Sequence, residues 1–126
     1  MKTAHDLVTA AKSRIQEVEL HAADAAIRSA DVLIDVREAD EFHAGHLPGA
    51  INIPRGLLEF KLSNEPALTA RDLNLVLYCK NSGRSALAAC ALQEMGYLKV
   101  LSIAGGFEAW SAAGKAVETP ELPGFD

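Results

Sequence analysis

A chain of 126 residues, 49% hydrophobic and 23% charged, has the size and balance of one soluble globular domain that buries its core without disulfide staples. Its net charge of −5, with no basic patch or stripe, argues against a nucleic-acid partner. No stretch nears the roughly 18 uninterrupted apolar residues of a membrane span, and the opening MKTAHDLVTAAKSRIQ lacks the apolar core of a secretion signal. Two cysteines eleven positions apart, outside any CxxC or Cys/His cluster, suggest neither a disulfide framework nor a zinc site. The expected setting is cytoplasmic, where thiols stay reduced.

In chain order, residues 3–14 carry Leu7, Val8 and Ala11 at helical spacing, with Thr3 as N-cap. A short strand at 15–18 and an alanine-rich helix follow. VLIDV (32–36) is a nearly continuous apolar run that suits a strand buried on both faces. READEFHAG (37–45) reads as a helix stopped by Gly45. HLPGAINIP holds a Pro-Gly turn, a strand at 50–53 and a breaker at Pro54. A helix at 55–64 and a loop at 64–70 lead into LNLVLY (73–78), a second buried strand. SALAACALQEMG is a helix ended by Gly96, KVLSI (99–103) a third buried strand, and GGFEAWSAAG the last helix. The TPELPGFD tail is expected to run extended along the surface. The alternation predicts an α/β sandwich on a mainly parallel sheet, divided into an N-terminal helical extension (1–13), the main domain (14–116) and a tail (117–126).

Cys79 falls where the 73–78 strand ends. In an open parallel sheet the ligand site lies beyond the carboxyl ends of the strands. The residues that reverse the chain into the next helix tend to converge their amides, and a run of amides at a helix N-terminus is an anion site. The same field, with Lys80 and Arg84, favours thiolate over thiol. Position alone leaves two readings, a packed small hydrophobe or a nucleophile in a positive bowl, and the bowl is favoured. On that reading Cys79 is the more exposed thiol, while Cys90, between alanines in mid-helix, packs inertly. The spacing from Cys79 to Arg84 is C-x4-R, one residue short of the C-x5-R that encloses phosphate in protein tyrosine phosphatases; Ser85 stands where that arginine would be. The smaller bowl better suits one extra sulfur atom on the cysteine.

Four segments, VLIDVREADEF (32–42), AGHLPGAINIP (44–54), LVLYCKNSGRSA (75–86) and VLSIAGGFEAW (100–110), together resemble the single-domain rhodaneses, the thiosulfate-type sulfurtransferases. The resemblance implies a rhodanese-like three-layer sandwich, with a five-stranded mainly parallel sheet and helices on both faces. It also implies Cys79 as catalytic sulfur carrier and a loop of Lys80, Asn81, Ser82, Gly83 and Arg84, closed by Ser85, that binds substrate and persulfide. The expected partners are a small anionic sulfur donor and a thiol, cyanide or protein acceptor, with no metal or organic cofactor. Family loops often read C-R-x-G-x-R, whereas this one has Lys80 second and its glycine one place later. The competing readings are a phosphatase or arsenate reductase on a related fold, and a binding module without catalysis.

Asp35 and Arg37 follow the first buried strand on the same rim. Asp35 is expected to support the cysteine loop by accepting hydrogen bonds, and Arg37 to pair with Glu41 at i,i+4. His43 and His46 lack a third ligand nearby, so His46 is read as packing locally. Gly105-Gly106 is read as a tight strand-to-helix turn rather than a phosphate loop, with Trp110 in the core. Arg55 is placed near the cleft mouth, and the 3–14 helix is read as a packing arm or a dimer contact.

Overall fold

The computed structural model describes residues 1–120, so most of the expected C-terminal extension, 121–126, lies outside the described residues. The elements are α1 (Ala4–Lys12), β1 (Gln16–Val18), α2 (Leu20–Ser29), β2 (Val32–Asp35), α3 (Ala39–Ala44), β3 (Ile51–Asn52), α4 (Leu58–Asn64), β4 (Asn74–Tyr78), α5 (Gly83–Glu94), β5 (Lys99–Ile103) and α6 (Gly106–Ala112). The five strands form one sheet in the order β1-β5-β4-β2-β3, and every pair is parallel. The sandwich expected from the alternation is the one that forms.

The side-chain period of two in a strand divides the core. On β4, Leu75 and Leu77, with Cys79 just beyond, join Leu58, Leu62, Ala88, Ala89 and Leu92 of α4 and α5. Val76 and Tyr78 point the other way and join Ala23 of α2 and Trp110 of α6. β2 alternates likewise, with Ile34 on the α4/α5 face and Leu33 on the α2/α6 face. Helices therefore cover both faces, which is why the central strands are apolar nearly throughout. Among the described residues no helix is long and apolar enough to cross a membrane.

Some boundaries differ from the sequence reading, each for a local reason. Glu38, not Arg37, caps α3, in a reciprocal arrangement with Glu41, so Arg37 stays outside the helix. The helix expected at 55–64 begins as a 3-10 turn, Arg55–Leu57, before α4. A second such turn, Pro66–Leu68, occupies the expected 64–70 loop. α5 begins at Gly83, inside the cysteine loop, two residues earlier than the apolar run suggested. α1 is N-capped by Thr3 with Asp6 completing the capping box, and Ala11 is buried where the helix lies against α5.

Candidate active site

Cys79 is the first residue after β4, and two neighbouring elements hold its backbone. The carbonyls of Cys79 and Lys80 accept hydrogen bonds from the amides of Phe107 (2.8 Å) and Glu108 (2.9 Å), in the first turn of α6. That approach needs glycine at 106. A Cβ there would lie 2.5 Å from the Cys79 carbonyl oxygen, and φ is +56°. The Gly105-Gly106 turn is therefore a clamp on the cysteine loop as well as a strand-to-helix connection.

The Cys79 thiol lies under this loop rather than on its surface. Its exposure is 1%, whereas Cys90 is partly exposed beside Arg14 and Arg55 in a groove between α1 and α5. The ranking of the two thiols read from the sequence is thus reversed. The reason is that Cys79 continues the inward series of Leu75 and Leu77, and the start of α5 covers it. Its Sγ donates to Ser85 Oγ at 3.5 Å. Ser85 Oγ in turn lies 2.8 Å from Ser102 Oγ and 3.2 Å from the Ser82 carbonyl, and both serines are fully buried. Ser102 escaped the sequence reading, although a hydroxyl among the apolar residues Val100, Leu101 and Ile103 was the signal for it.

Beyond the thiol the loop runs through Lys80 and Asn81, both exposed, to Ser82, where Asn81 Oδ1 accepts from the Ser82 amide at 2.9 Å. Ser82 is the N-cap of α5 yet makes no side-chain capping bond. Among the described residues, no protein acceptor takes the amides of Lys80, Asn81, Gly83, Arg84 or Ser85. Five uncommitted donors in six consecutive residues, at the positive end of a helix, are an arrangement suited to an anion. Lys80 forms no ion pair within the described residues.

Arg84 is engaged. Its guanidinium forms a two-pronged pair with Glu41, at 2.7 and 3.0 Å. Glu41 was expected to pair with Arg37, and this is a correction: outside the helix, Arg37 folds back instead onto Asp35. Among the described residues the Asp35 carboxylate correspondingly makes no hydrogen bond to the cysteine loop. Its carboxylate accepts from the Arg37 amide and guanidinium and from the Tyr78 hydroxyl (2.8 Å). Arg37 also donates to the Gly45 carbonyl at 2.6 Å and lies 4.3 Å over the Phe107 ring. Burial pushes the Tyr78 phenol well above its ordinary pKa, and the adjacent Asp35 charge adds to this. The network thus reaches Cys79 through Tyr78, its chain neighbour, and Phe107, whose amide holds its carbonyl.

Hydrogen bonding to Arg84 lowers the Glu41 pKa from 4.5 to about 2. A depressed folded-state pKa means the pair contributes stability above pH 4.5 and loses it as the pH falls toward 2. With Arg84 36% and Glu41 29% exposed, solvent screening holds that contribution to about 1 kcal/mol or less. Glu41→Gln is expected to unfold slightly earlier than wild type at pH 7, with the gap closing below pH 4.5; thermal unfolding against pH checks this. A gap that persisted unchanged at pH 2.5 would show that the pair is not the cause.

The remaining candidates lie outside the loop. His46 is buried, stacks on Phe42 at 3.8 Å between ring centroids, and shares a hydrogen bond with the Phe42 carbonyl; His43 bonds likewise to the Ala39 carbonyl. Arg55 pairs with Glu59 at 2.8 Å. Trp110 is buried, with its indole N–H donating to the Ala116 carbonyl.

The chain is similar to known proteins over most of its length. Residues 16–113 match the model of the rhodanese-like domain. A sulfurtransferase of Allochromatium vinosum is 33% identical over 90 residues, covering 71% of this chain and 80% of that one. Of three bacterial relatives this chain spans 80%, 64% and 52% of the length. A protein of unknown function from Rhodopseudomonas palustris, described as a possible tyrosine phosphatase, superposes with a TM-score of 0.85 at 34% identity, covering 94% of this chain and 96% of that one. The human single-domain sulfurtransferase superposes with a TM-score of 0.69 at 31% identity, covering 76% and 95%. A five-stranded parallel sheet carrying a cysteine loop at its carboxyl edge, matched over most of its length to that domain, places this chain in the rhodanese-like family.

Proposed function

We propose that the protein is a sulfurtransferase that carries sulfane sulfur as a persulfide on Cys79. The observation that supports this best is the row of uncommitted amides that follows a cysteine backed by the Ser85–Ser102 hydroxyl pair. The loop accepts charge; at six residues it is one shorter than a loop that encloses a phosphoryl group on its cysteine, which suits a single added sulfur at Sγ with a tetrahedral anionic group held at the mouth.

In the first half-reaction the Cys79 thiolate attacks the outer sulfur of thiosulfate or a similar donor. A new S–S bond forms on Cys79 as the donor's S–S bond breaks, and sulfite leaves with the electron pair. Lys80 attracts the donor's anionic group; Arg84 serves the same end while Glu41 limits its net charge. Once the thiol proton is lost, Ser85 Oγ can turn its own proton to the sulfur, with Ser102 donating to Ser85. The loop amides then stabilise the negative charge of the persulfide, as an oxyanion hole does. In the second half-reaction a thiol, cyanide or a protein acceptor attacks the outer sulfur, and the Cys79 thiolate is released. A reducing, cytoplasmic setting keeps the thiol available between turnovers. Neither half-reaction calls for a metal or organic cofactor.

Intact-mass spectrometry after incubation with thiosulfate tests the proposal. The expected result is a gain of one sulfur atom per chain, removed by cyanide with formation of thiocyanate. The similarity to a possible tyrosine phosphatase supports a second reading, hydrolysis of a phosphoester through a Cys79 phospho-intermediate. Hydrolysis of an aryl phosphate by a protein that takes up no sulfur from thiosulfate or persulfide donors would decide for it. Inactivity in both assays would leave a binding module.

A further inference from the structure

Lys12 is the last residue of α1, outside the part of the chain that matches the family model. Its ammonium reaches across 70 positions of sequence and donates to Ser82 Oγ at 2.7 Å. The contact is part of a packed seam: α1 lies along α5, Ala11 is buried, and a methyl group on Gly83 would meet Val8 at 3.6 Å. Glu17, 3.7 Å from the same ammonium, is the other charged group beside it.

Ser82 is the N-cap residue of the helix whose first amides line the anion bowl. Serine at this position ordinarily accepts a hydrogen bond from the second or third helical amide. Here those would be Arg84 and Ser85, two of the donors left uncommitted. The capping bond is absent, and the Ser82 hydroxyl is bonded to Lys12 instead. Its backbone differs from the usual extended N-cap as well, with φ 159° and ψ −11°.

We infer that Lys12 is a positioning residue of the active site: by holding the Ser82 hydroxyl it prevents α5 from capping itself and keeps the amides of the bowl open for the anion. Without Lys12, Ser82 is free to take the ordinary N-cap role, and its hydroxyl then competes with donor and persulfide for the same amides. The helix that precedes the family domain is thereby part of the site's construction. The inference rests on the bowl holding an anionic sulfur species, yet it concerns the bowl's openness to anions and is testable apart from sulfur transfer.

The test is a double-mutant cycle of wild type, Lys12→Met, Ser82→Ala and the double variant. Sulfate, an inert tetrahedral anion, is titrated at a fixed ionic strength of about 0.15 M, where exposed charges are screened within about 8 Å. Binding is read from the amide resonances of residues 80–85. Lys12→Met is expected to weaken sulfate binding about fivefold, the scale of one N-capping bond. In the Ser82→Ala background, with no hydroxyl to compete, the same substitution is expected to change it by less than about twofold. Equal losses in the two backgrounds would overturn the inference and make Lys12 a simple charge. No loss on Lys12→Met, or no shift of these amides in wild type, would overturn it too. Sulfur uptake from thiosulfate is followed in parallel. A wild type that binds sulfate and shows the cycle while taking up no sulfur would support the role of Lys12 and count against sulfur transfer.

Discussion

Cys79→Ser is expected to leave a folded protein that takes up no sulfur, with transfer from thiosulfate falling by at least about a thousandfold, as when a covalent nucleophile is removed. Folding survives because the change is nearly isosteric at a buried site and the new hydroxyl inherits the Ser85 partner of the thiol. The chemistry does not survive, because a serine hydroxyl at neutral pH holds its proton and has no general base beside it; Ser85 and Ser102 are themselves hydroxyls. Cys90 supplies the control. It is the more exposed thiol, so exposure alone would make it the carrier. It lies about two turns into α5, away from the amides that begin that helix. Cys90→Ser is therefore expected to load sulfur as wild type does. Sulfur gained by Cys79→Ser and lost by Cys90→Ser would move the site to the α1–α5 groove and overturn the assignment.

Arg37→Met is expected to cost about 3–5 kcal/mol of folding stability, because it leaves the Asp35 carboxylate buried without its counter-charge. Asp35 is wholly inaccessible and Arg37 4% exposed, so water cannot replace the lost partner. Of the side-chain bonds to that carboxylate, the Tyr78 hydroxyl alone would remain. Urea unfolding checks the size of the loss, and adding Asp35→Asn should recover part of it by removing the stranded charge. A loss under about 1 kcal/mol would mean the pair does not support the fold as its burial implies. The same substitution removes the guanidinium from the Phe107 ring, so the first turn of α6 should loosen its hold on the Cys79 carbonyl. Sulfur uptake by the folded fraction is expected to slow as well.

The two substitutions mark the border between what sequence carries and what it does not. Cys79 was legible because the signal is local: an apolar strand, a thiol at its end, and a helix that starts within a few residues. The strands were legible for the same reason, since buried parallel strands read as short continuous apolar runs. The burial of Cys79 was also within reach, because it continues the alternation of Leu75 and Leu77, but the two basic neighbours pointed toward the surface. Pairings were another matter. Glu41 could be matched from sequence only with partners one helical turn away, which suggested Arg37; its true partner, Arg84, is 43 positions along the chain. Asp35 with Tyr78, Ser85 with Ser102 and Lys12 with Ser82 are likewise separated by 43, 17 and 70 positions.

Local residue patterns were enough to predict the succession of strands and helices, the parallel sheet and the place of Cys79 at a strand end, because propensity, periodicity and turn chemistry act over a few residues. Which amides stay open, which cations are already paired and which thiol is covered emerge from the folded arrangement. Those depend on side chains brought together by β2, β4 and β5 lying side by side and by α1 packing on α5.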